Sequence, residues 1–332
     1  VTEETPALTF TVAAEDAGKR LDAYLAENIS GWSRSRLQRL IANEDALVNE
    51  SAAKPSHKLR QGDEIEIDLV EVPAAVFEPE DIPLDIVFED EYLAVINKPA
   101  GMVVHPGAGV QSGTLANAIA YHFGLKSSPP YEGGVAAAAA DGVVLSNNET
   151  RIGIVHRLDK DTSGLIVVAK NDRIHEALSE QFRLREVYKS YVALLHGSPQ
   201  QNTGRIEAPI GRNKHNRLRM KVASHGRTAL SLWKVRKRYD KFTLVDVEIK
   251  TGRTHQIRVH MGYINHPVVG DEIYNEGRDN TVADTKIRNA IASMPRFFLH
   301  AEKLSFTHPV TGERLEFTQR LAPELNEFLT LL

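Results

Sequence analysis

His156-Arg157-Leu158-Asp159-Lys160-Asp161-Thr162-Ser163-Gly164 stands between two apolar, β-branched runs, Ile152-Gly153-Ile154-Val155 before it and Leu165-Ile166-Val167-Val168-Ala169 after it. The runs have the composition of buried strands and the middle does not, so Asp159 is expected on a loop between two strands of a sheet. A carboxylate among cations, followed by the turn-forming Thr162-Ser163-Gly164, is poor core material and reads as a site held by a rigid sheet. An ordinary salt-bridged turn would present the same residues. The rest of the chain decides between the two.

The 332 residues, 42% hydrophobic and 25% charged, suffice for one large core and a small additional domain. No run of about 18 apolar residues occurs, and Val1-Thr2-Glu3-Glu4-Thr5 has neither a basic flank nor an apolar core. A cytoplasmic protein without a membrane partner is therefore expected. The absence of cysteine excludes disulfides, thiolate zinc sites and a cysteine nucleophile, leaving only His and carboxylate metal sites open. The net charge of −4 is unevenly spread: Glu78, Glu80, Asp81, Asp85, Glu89, Asp90 and Glu91 crowd one stretch. By contrast Arg205, Arg212, Lys214, Arg217, Arg219, Lys221, Arg227, Lys234, Arg236, Lys237 and Arg238 share their span with Glu207 alone. Such a stripe predicts a local basic surface able to attract a polyphosphate, although a solvated β-ribbon would carry the same charges.

Residues 1–17 read as a tail and 18–70 as a small domain. In it Leu21, Tyr24 and Leu25 lie at helical spacing, and Ser33 can cap a second helix. Leu37, Leu40 and Ile41 form the apolar side of that helix, and Arg34, Arg36, Gln38 and Arg39 its polar side. Ala46-Leu47-Val48-Asn49, the turn Gln61-Gly62-Asp63 and the alternating Glu64-Ile65-Glu66-Ile67-Asp68 supply short strands. The three prolines within 71–83 and the lack of amphipathic period mark an extended linker. Residues 84–332 read as the larger domain, interrupted by a Pro-, Gly- and Ala-rich stretch, 126–150, that has the character of a flexible insertion.

The larger domain is strand-rich with interspersed helices, an α+β pattern. Asp85–Glu89 and Leu93–Asn97 are expected to pair as a hairpin across Asp90-Glu91-Tyr92, with Lys98-Pro99-Ala100-Gly101 closing a turn. A helical stripe of Ile174, Ala177, Leu178 and Phe182 is followed by a strand from Tyr188 to Leu195, and Val245, Val247 and Ile249 alternate with acids. Next comes Thr251-Gly252-Arg253-Thr254-His255-Gln256-Ile257-Arg258-Val259-His260, dense in hydrogen-bonding groups. If helical from Thr254, it sets Gln256 and His260 on one face and His255 and Arg258 on another, with an N-terminus able to receive a phosphate. His255 and His260 lack the four-residue spacing of a helical zinc pair, so no metal is expected.

Three motifs in order, His156 to Gly164, Lys189-Ser190-Tyr191-Val192-Ala193 and Arg253 to His260, together resemble the RluA/RluD-type pseudouridine synthase family. The likeness also takes in Asn97 to Pro106, Phe298-Leu299-His300-Ala301 and His308-Pro309. Gly18-Lys19-Arg20-Leu21-Asp22, Ser33-Arg34-Ser35-Arg36 and Gly62-Asp63 resemble the alpha-L RNA-binding module named after the S-four ribosomal protein, a pairing most like the RluD branch. The resemblance implies a mostly antiparallel mixed-sheet catalytic domain behind a small RNA-binding domain. It implies an RNA partner, large-subunit ribosomal RNA or its precursor particle, with the enzyme acting as a monomer and without a cofactor. It also implies Asp159 as the catalytic carboxylate, Arg258 as the arginine that aims it, and Tyr191 as a ring that stacks on the uracil or assists proton transfer. Arg157 would wedge into the RNA. His156, Arg253, His255 and Gln256 are expected to bind RNA beside it, as are Arg34, Arg36 and Arg39 on the small domain.

Two other readings stay open in the residues alone. Asp159-Lys160-Asp161-Thr162 also fits the D-x-D-x-T pattern of haloacid-dehalogenase-like phosphatases, which place it after a parallel strand and need Mg²⁺ held by a later acidic pair. A non-catalytic RNA-binding factor of ribosome assembly would share the basic surfaces but not depend on Asp159.

Overall fold

The computed structural model describes residues 8–29, 32, 37–38, 40–41, 45–68, 78–106, 110, 112–124, 153–213, 219–224 and 226–332. Arg34, Arg36 and Arg39 and the stretch 126–150 lie outside the described residues, as does most of the expected linker. The chain divides into two compact units, one holding the described residues up to Asp68 and the other those from Glu78 onward. No described helix is long and apolar enough to cross a membrane.

In the first unit β1 (Leu8–Thr11), β2 (Ala46–Val48), β3 (Ser51–Ala52) and β4 (Glu64–Ile67) form a sheet of order β1-β4-β2-β3, accompanied by the helix α1 (Leu21–Asn28) and by helical residues at Leu37, Gln38, Leu40 and Ile41. Leu21, Tyr24 and Leu25 pack with Leu37, Leu40, Ile41, Ile65 and Ile67, as the helical and alternating spacings predict. β2 turns into β3 through Asn49 and Glu50, both left-handed (φ 49° and 62°). Two positive φ values in a two-residue hairpin are the mirror-turn geometry that matches strand twist. Asn49 stabilises it by donating to Asp63 Oδ1 and accepting from the Glu64 N–H, each at 2.9 Å.

The second unit runs β5 (Ile86–Glu89), β6 (Leu93–Lys98), α2 (Leu115–His122), β7 (Gly153–Ile154), β8 (Ser163–Ala169), α3 (Asp172–Leu184), β9 (Tyr188–His196) and β10 (Thr203–Glu207). It continues with β11 (Ile210–Arg212), β12 (Met220–Val222), β13 (Leu230–Arg238), β14 (Phe242–Ile249), α4 (Gln256–Tyr263), α5 (Thr285–Ser293), β15 (Leu299–Thr307), β16 (Arg314–Thr318) and α6 (Pro323–Leu329). The main sheet has the order β10-β13-β14-β9-β15-β8-β6-β5, with β7 added to β8 and β16 to β15. Among the described residues only β8 and β15 run parallel, so the mixed, mostly antiparallel α+β expectation holds.

β8 is buried on both faces: Ile166 and Val168 enter one apolar core, Leu165, Val167 and Ala169 the other. That double cover explains its unbroken apolar composition. Thr162-Ser163-Gly164, expected as a turn, already contains the first two residues of this strand. The reason is the parallel neighbour: Gly164 has φ +113°, and a Cβ there would sit 2.2 Å from the Ala301 carbonyl oxygen. Glycine is needed so that β15 can approach, not so that the chain can turn.

The basic span is less bare than its sequence suggests. Arg236 pairs with Asp246 and Glu302, Arg205 with Glu207, and Arg238 donates to Ser198, Asn202 and the carbonyls of Pro199 and Gln201. Lys214 and Arg217 lie outside the described residues.

Candidate active site

Asp159 sits on the loop between β7 and β8, half-buried, with the Thr162 N–H donating to its carbonyl at 3.1 Å. Ninety-nine residues later in the chain, Arg258 on the first turn of α4 brings its Nη1 to 3.3 Å from Asp159 Oδ2. Arg258 is not free to swing. Its Nε and Nη2 donate to the two oxygens of Asp271 at 2.6 and 2.8 Å, and the Asp271 side chain is completely buried. The Phe297 ring lies 4.2 Å and the Tyr274 ring 5.0 Å from the guanidinium carbon. Burial works to lower the Arg258 pKa, but the hydrogen bonds and charge of Asp271 and the charge of Asp159 outweigh it and the net shift is upward. A two-point clamp on Asp271 thus leaves the remaining edge of a fixed fork aimed at Asp159.

Tyr191 on β9 lies within electrostatic reach of Asp159; burial first, and that carboxylate second, push its phenol well above the ordinary value. The Asp159–Arg258–Tyr191 grouping expected from three separated motifs is therefore assembled in space.

The loop is anchored from beneath by two buried cations. Lys98, at the end of β6, donates from Nζ to the carbonyls of Pro99 (2.7 Å), Met102 (2.9 Å) and Lys160 (3.0 Å). Its side chain is fully buried, and burial draws its pKa down to about 7, with Asp161 opposing, Arg296 assisting and Asp159 opposing. Arg296 donates from Nη1 to the carbonyls of Asp161 and Leu299, both at 3.2 Å, and from Nε to Glu324 of α6 at 2.9 Å. The carbonyls of Lys160 and Asp161, next along the chain from Asp159, are each held by a cation. Charge-assisted bonds of this kind stiffen a loop that carries no regular secondary structure.

Other expected site residues divide into two groups. His156 accepts from the Val167 N–H at Nε2 (3.1 Å) and stacks on Phe182 with ring centroids 4.7 Å apart, while burial draws its pKa down to about 3. Gln256, 3% exposed, accepts from Thr251 Oγ1 and the Arg253 N–H and donates to the Leu230 carbonyl and Ser231 Oγ. Both side chains make their hydrogen bonds inside the protein, where they position their loops. The face shared by Gln256 and His260 is real, since both reach Ser231 Oγ, but it faces the core.

Arg157 is exposed next to Asp159, and its charge is felt by His105 and His255. Arg253 donates to the Thr228 carbonyl at 3.1 Å, and its pKa is lowered by burial and then by Arg227 and Arg185. Those three arginines concentrate positive charge of the kind a polyanion relieves. His255, left-handed at φ 56° immediately before α4, lies among Asp159, Arg258, Asp271 and Arg157.

Asp271, Tyr274, Phe297, Lys98 and Arg296 were not among the expected site residues. The one sequence signal for Asp271 is indirect: a buried arginine needs an acid, and Gly270-Asp271 follows the apolar Val268-Val269. The D-x-D-x-T reading fails on topology. β7 and β8 are antiparallel (Gly153↔Ala169), so Asp159 does not follow a parallel-sheet strand, and the oxygens of Asp271 face Arg258 instead of a metal position.

A model of the family described as RNA pseudouridylate synthase matches residues 92–263. The chain is 38% identical over 322 residues to an uncharacterized RNA pseudouridine synthase of Bacillus subtilis (strain 168), covering 97% of both proteins. It is 38% identical to the ribosomal large subunit pseudouridine synthase D of Xanthomonas campestris pv. campestris, covering 95% of this chain and 89% of that protein. With the protein of the same name from Neisseria meningitidis serogroup A it shares 40% identity, covering 97% of this chain and 81% of that protein. Among solved structures, human RNA pseudouridylate synthase domain containing 1 superposes with a TM-score of 0.54 at 26% identity, covering 75% of this chain and 89% of that one.

Proposed function

This chain belongs to the RNA pseudouridylate synthase family and is an enzyme that isomerises uridine in RNA to pseudouridine; from that premise we propose that its substrate is large-subunit ribosomal RNA and that Asp159 is the catalytic carboxylate. In the reaction the bond from uracil N1 to ribose C1′ breaks, the base turns, and a bond forms from C5 to C1′. The hydrogen on C5 leaves and N1 gains one, so no redox partner or phosphoryl donor is consumed.

The observation that carries the assignment is the Asp159–Arg258 contact at 3.3 Å, with Arg258 locked by the buried Asp271. A carboxylate aimed this way can attack the nucleoside or assist departure of the base. Tyr191 would stack on the uracil and exchange a proton with it, a role supported by its closeness to Asp159. Extruding the target nucleotide costs a few kcal/mol, and exposed Arg157 beside Asp159 is suited to fill the gap. Arg253 and His255 would contact the RNA around it, and the small N-terminal unit, with Arg34, Arg36 and Arg39, would add affinity. The ribosomal target is supported by the names of the Xanthomonas and Neisseria relatives. We take the acting form to be a cytoplasmic monomer working on free ribosomal RNA or a precursor particle.

The test is release of tritium from [5-³H]uridine in large-subunit RNA transcripts and precursor particles, followed by mapping of pseudouridine. The intact protein should release label, and Asp159→Asn should abolish release while retaining RNA on a filter. Label release by Asp159→Asn, or no release from any large-subunit substrate by the intact protein, would overturn the assignment.

A further inference from the structure

We infer that His255 is a further substrate-binding residue of this site, offering an Nε2–H donor to a carbonyl oxygen of the extruded uracil, with Tyr274 as the positioning residue that fixes its tautomer. The inference rests on the reading under Proposed function and adds a residue to it.

The argument begins at the Tyr274 hydroxyl. It accepts a hydrogen bond from the Met220 backbone N–H at 2.8 Å and lies 2.8 Å from His255 Nδ1. A backbone N–H can only donate, so the phenol oxygen accepts there, and the arrangement that also gives the phenol proton an acceptor sends it to Nδ1. Nδ1 then serves as acceptor, and the ring proton resides on Nε2. The phenol keeps that proton: burial first raises the Tyr274 pKa, while the Met220 hydrogen bond and the Arg258 charge pull the other way. The two rings meet edge-on, with centroids 5.6 Å apart and planes at 79°, which fixes the imidazole as well as its proton.

The electrostatics around His255 give a reason for the device. The groups facing it are Asp159 and Arg157 from the catalytic loop, Arg258 from α4, and Asp271 and Tyr274 from the segment after α4. Burial lowers its pKa most, and the two arginines lower it further against the two carboxylates. An imidazolium here would compete with Arg258 for Asp159 and blunt the carboxylate. A neutral imidazole leaves Asp159 to Arg258 and still supplies a donor, suited to an uncharged carbonyl more than to a phosphate. The backbone supports a purpose beyond packing: His255 is a non-glycine residue at φ 56°, a costly conformation that clusters at functional sites. Tyr274 also joins the site to the basic β11–β12 ribbon, since its ring lies 5.0 Å from the Arg258 guanidinium carbon and 5.5 Å from that of Arg219.

Two measurements on the full-length protein test this. Long-range ¹H–¹⁵N spectra of the imidazoles, between pH 5 and 8 and without RNA, should show His255 neutral with its proton on Nε2. In Tyr274→Phe the hydrogen bond to the neutral form is lost, so the His255 pKa should rise from that of the parent to a higher value, with burial and the two arginines still opposing the rise. Tritium release by Tyr274→Phe should then acquire an acid limb absent from the parent, with kcat/KM falling roughly tenfold per pH unit below that value. His255→Gln, which keeps an amide donor but cannot titrate, should abolish the limb in the Tyr274→Phe background. A general loss of packing would lower the whole profile without a new limb. A proton on Nδ1, an imidazolium near neutral pH in the parent, or parallel pH profiles for parent and Tyr274→Phe would overturn the inference. Failure of the parent to release tritium would instead strike the functional reading, because the spectra need no substrate.

Discussion

Replacing Lys98 by Met separates two effects that are combined in the intact loop. Methionine matches the length and volume of the buried lysine but brings neither charge nor donors, so three carbonyls lose their partner while a buried charge disappears. With its pKa drawn down to about 7, the folded lysine has shed most of its proton by about pH 8, whereas the unfolded lysine keeps it up to about pH 10.4. The unfolded state then binds one more proton, so stability due to Lys98 rises with pH across this window and levels off above it. The slope is about 1.4 kcal/mol per pH unit, or about 2.5 kcal/mol between pH 8 and 10 once incomplete titration is allowed for. Urea unfolding of the parent and Lys98→Met at pH 7, 8, 9 and 10 gives the quantity directly. Their difference removes the other titrating groups, Lys189 among them, whose pKa is drawn down to about 8 by burial and then by Lys250. The parent should gain about 2.5 kcal/mol on the variant from pH 8 to 10. Between about pH 6 and 8, where Lys98 loses its proton in the folded protein, kcat of the parent should fall, because a neutral amine has two protons for three carbonyls. A difference in stability that does not change with pH would mean that the three carbonyls keep Lys98 charged against burial, and the reasoning would fail.

Asp271→Asn should be costly to both stability and rate: it leaves the Arg258 guanidinium, almost fully buried, with half its fork facing an amide. About 3–5 kcal/mol of stability is expected to go, read by urea unfolding, and kcat of the folded fraction should fall far more than RNA affinity. Gly164→Ala should be worse for the fold than its one methyl suggests, since the Cβ would lie 2.2 Å from the Ala301 carbonyl and φ is +113°. A loss of more than about 3 kcal/mol, or failure to fold, is the expected result in thermal unfolding, and a change under about 1 kcal/mol would show that β15 can move away.

Local pattern carried most of the architecture. The β5–β6 hairpin, the helix of Ile174, Leu178 and Phe182, and the strands through Tyr191 and Val247 appear where period and turn chemistry place them. The Asp159–Arg258–Tyr191 grouping was legible only through the resemblance, because nothing in spacing says that residues ninety-nine apart will meet. Gly164 was read as a turn because its requirement comes from a strand more than a hundred residues later. His156 and Gln256 look like site residues in sequence for the same reason that they are structural in space: a polar side chain next to a catalytic one either meets substrate or holds the loop. Only the Val167, Leu230 and Ser231 contacts reveal which.

The partners of buried cations are the hardest part of such a site to read, and they form much of its framework. Lys98, Arg258 and Arg296 each draw acceptors from more than one segment: the adjoining turn and the Asp159 loop for Lys98, two carboxylates for Arg258, and the loop, β15 and α6 for Arg296. A charge withdrawn from water has to find compensation in one fixed geometry. Each of the three therefore stabilises one arrangement of the segments it touches over the alternatives. Asp159 occupies a loop without regular secondary structure, where a carboxylate would ordinarily sample many positions. With the carbonyls of Lys160 and Asp161 held from below and the carboxylate met by a clamped guanidinium, its position is fixed from both sides before any RNA arrives. The nucleotide then has to be reshaped to fit the site, which is where the base-flipping energy has to go.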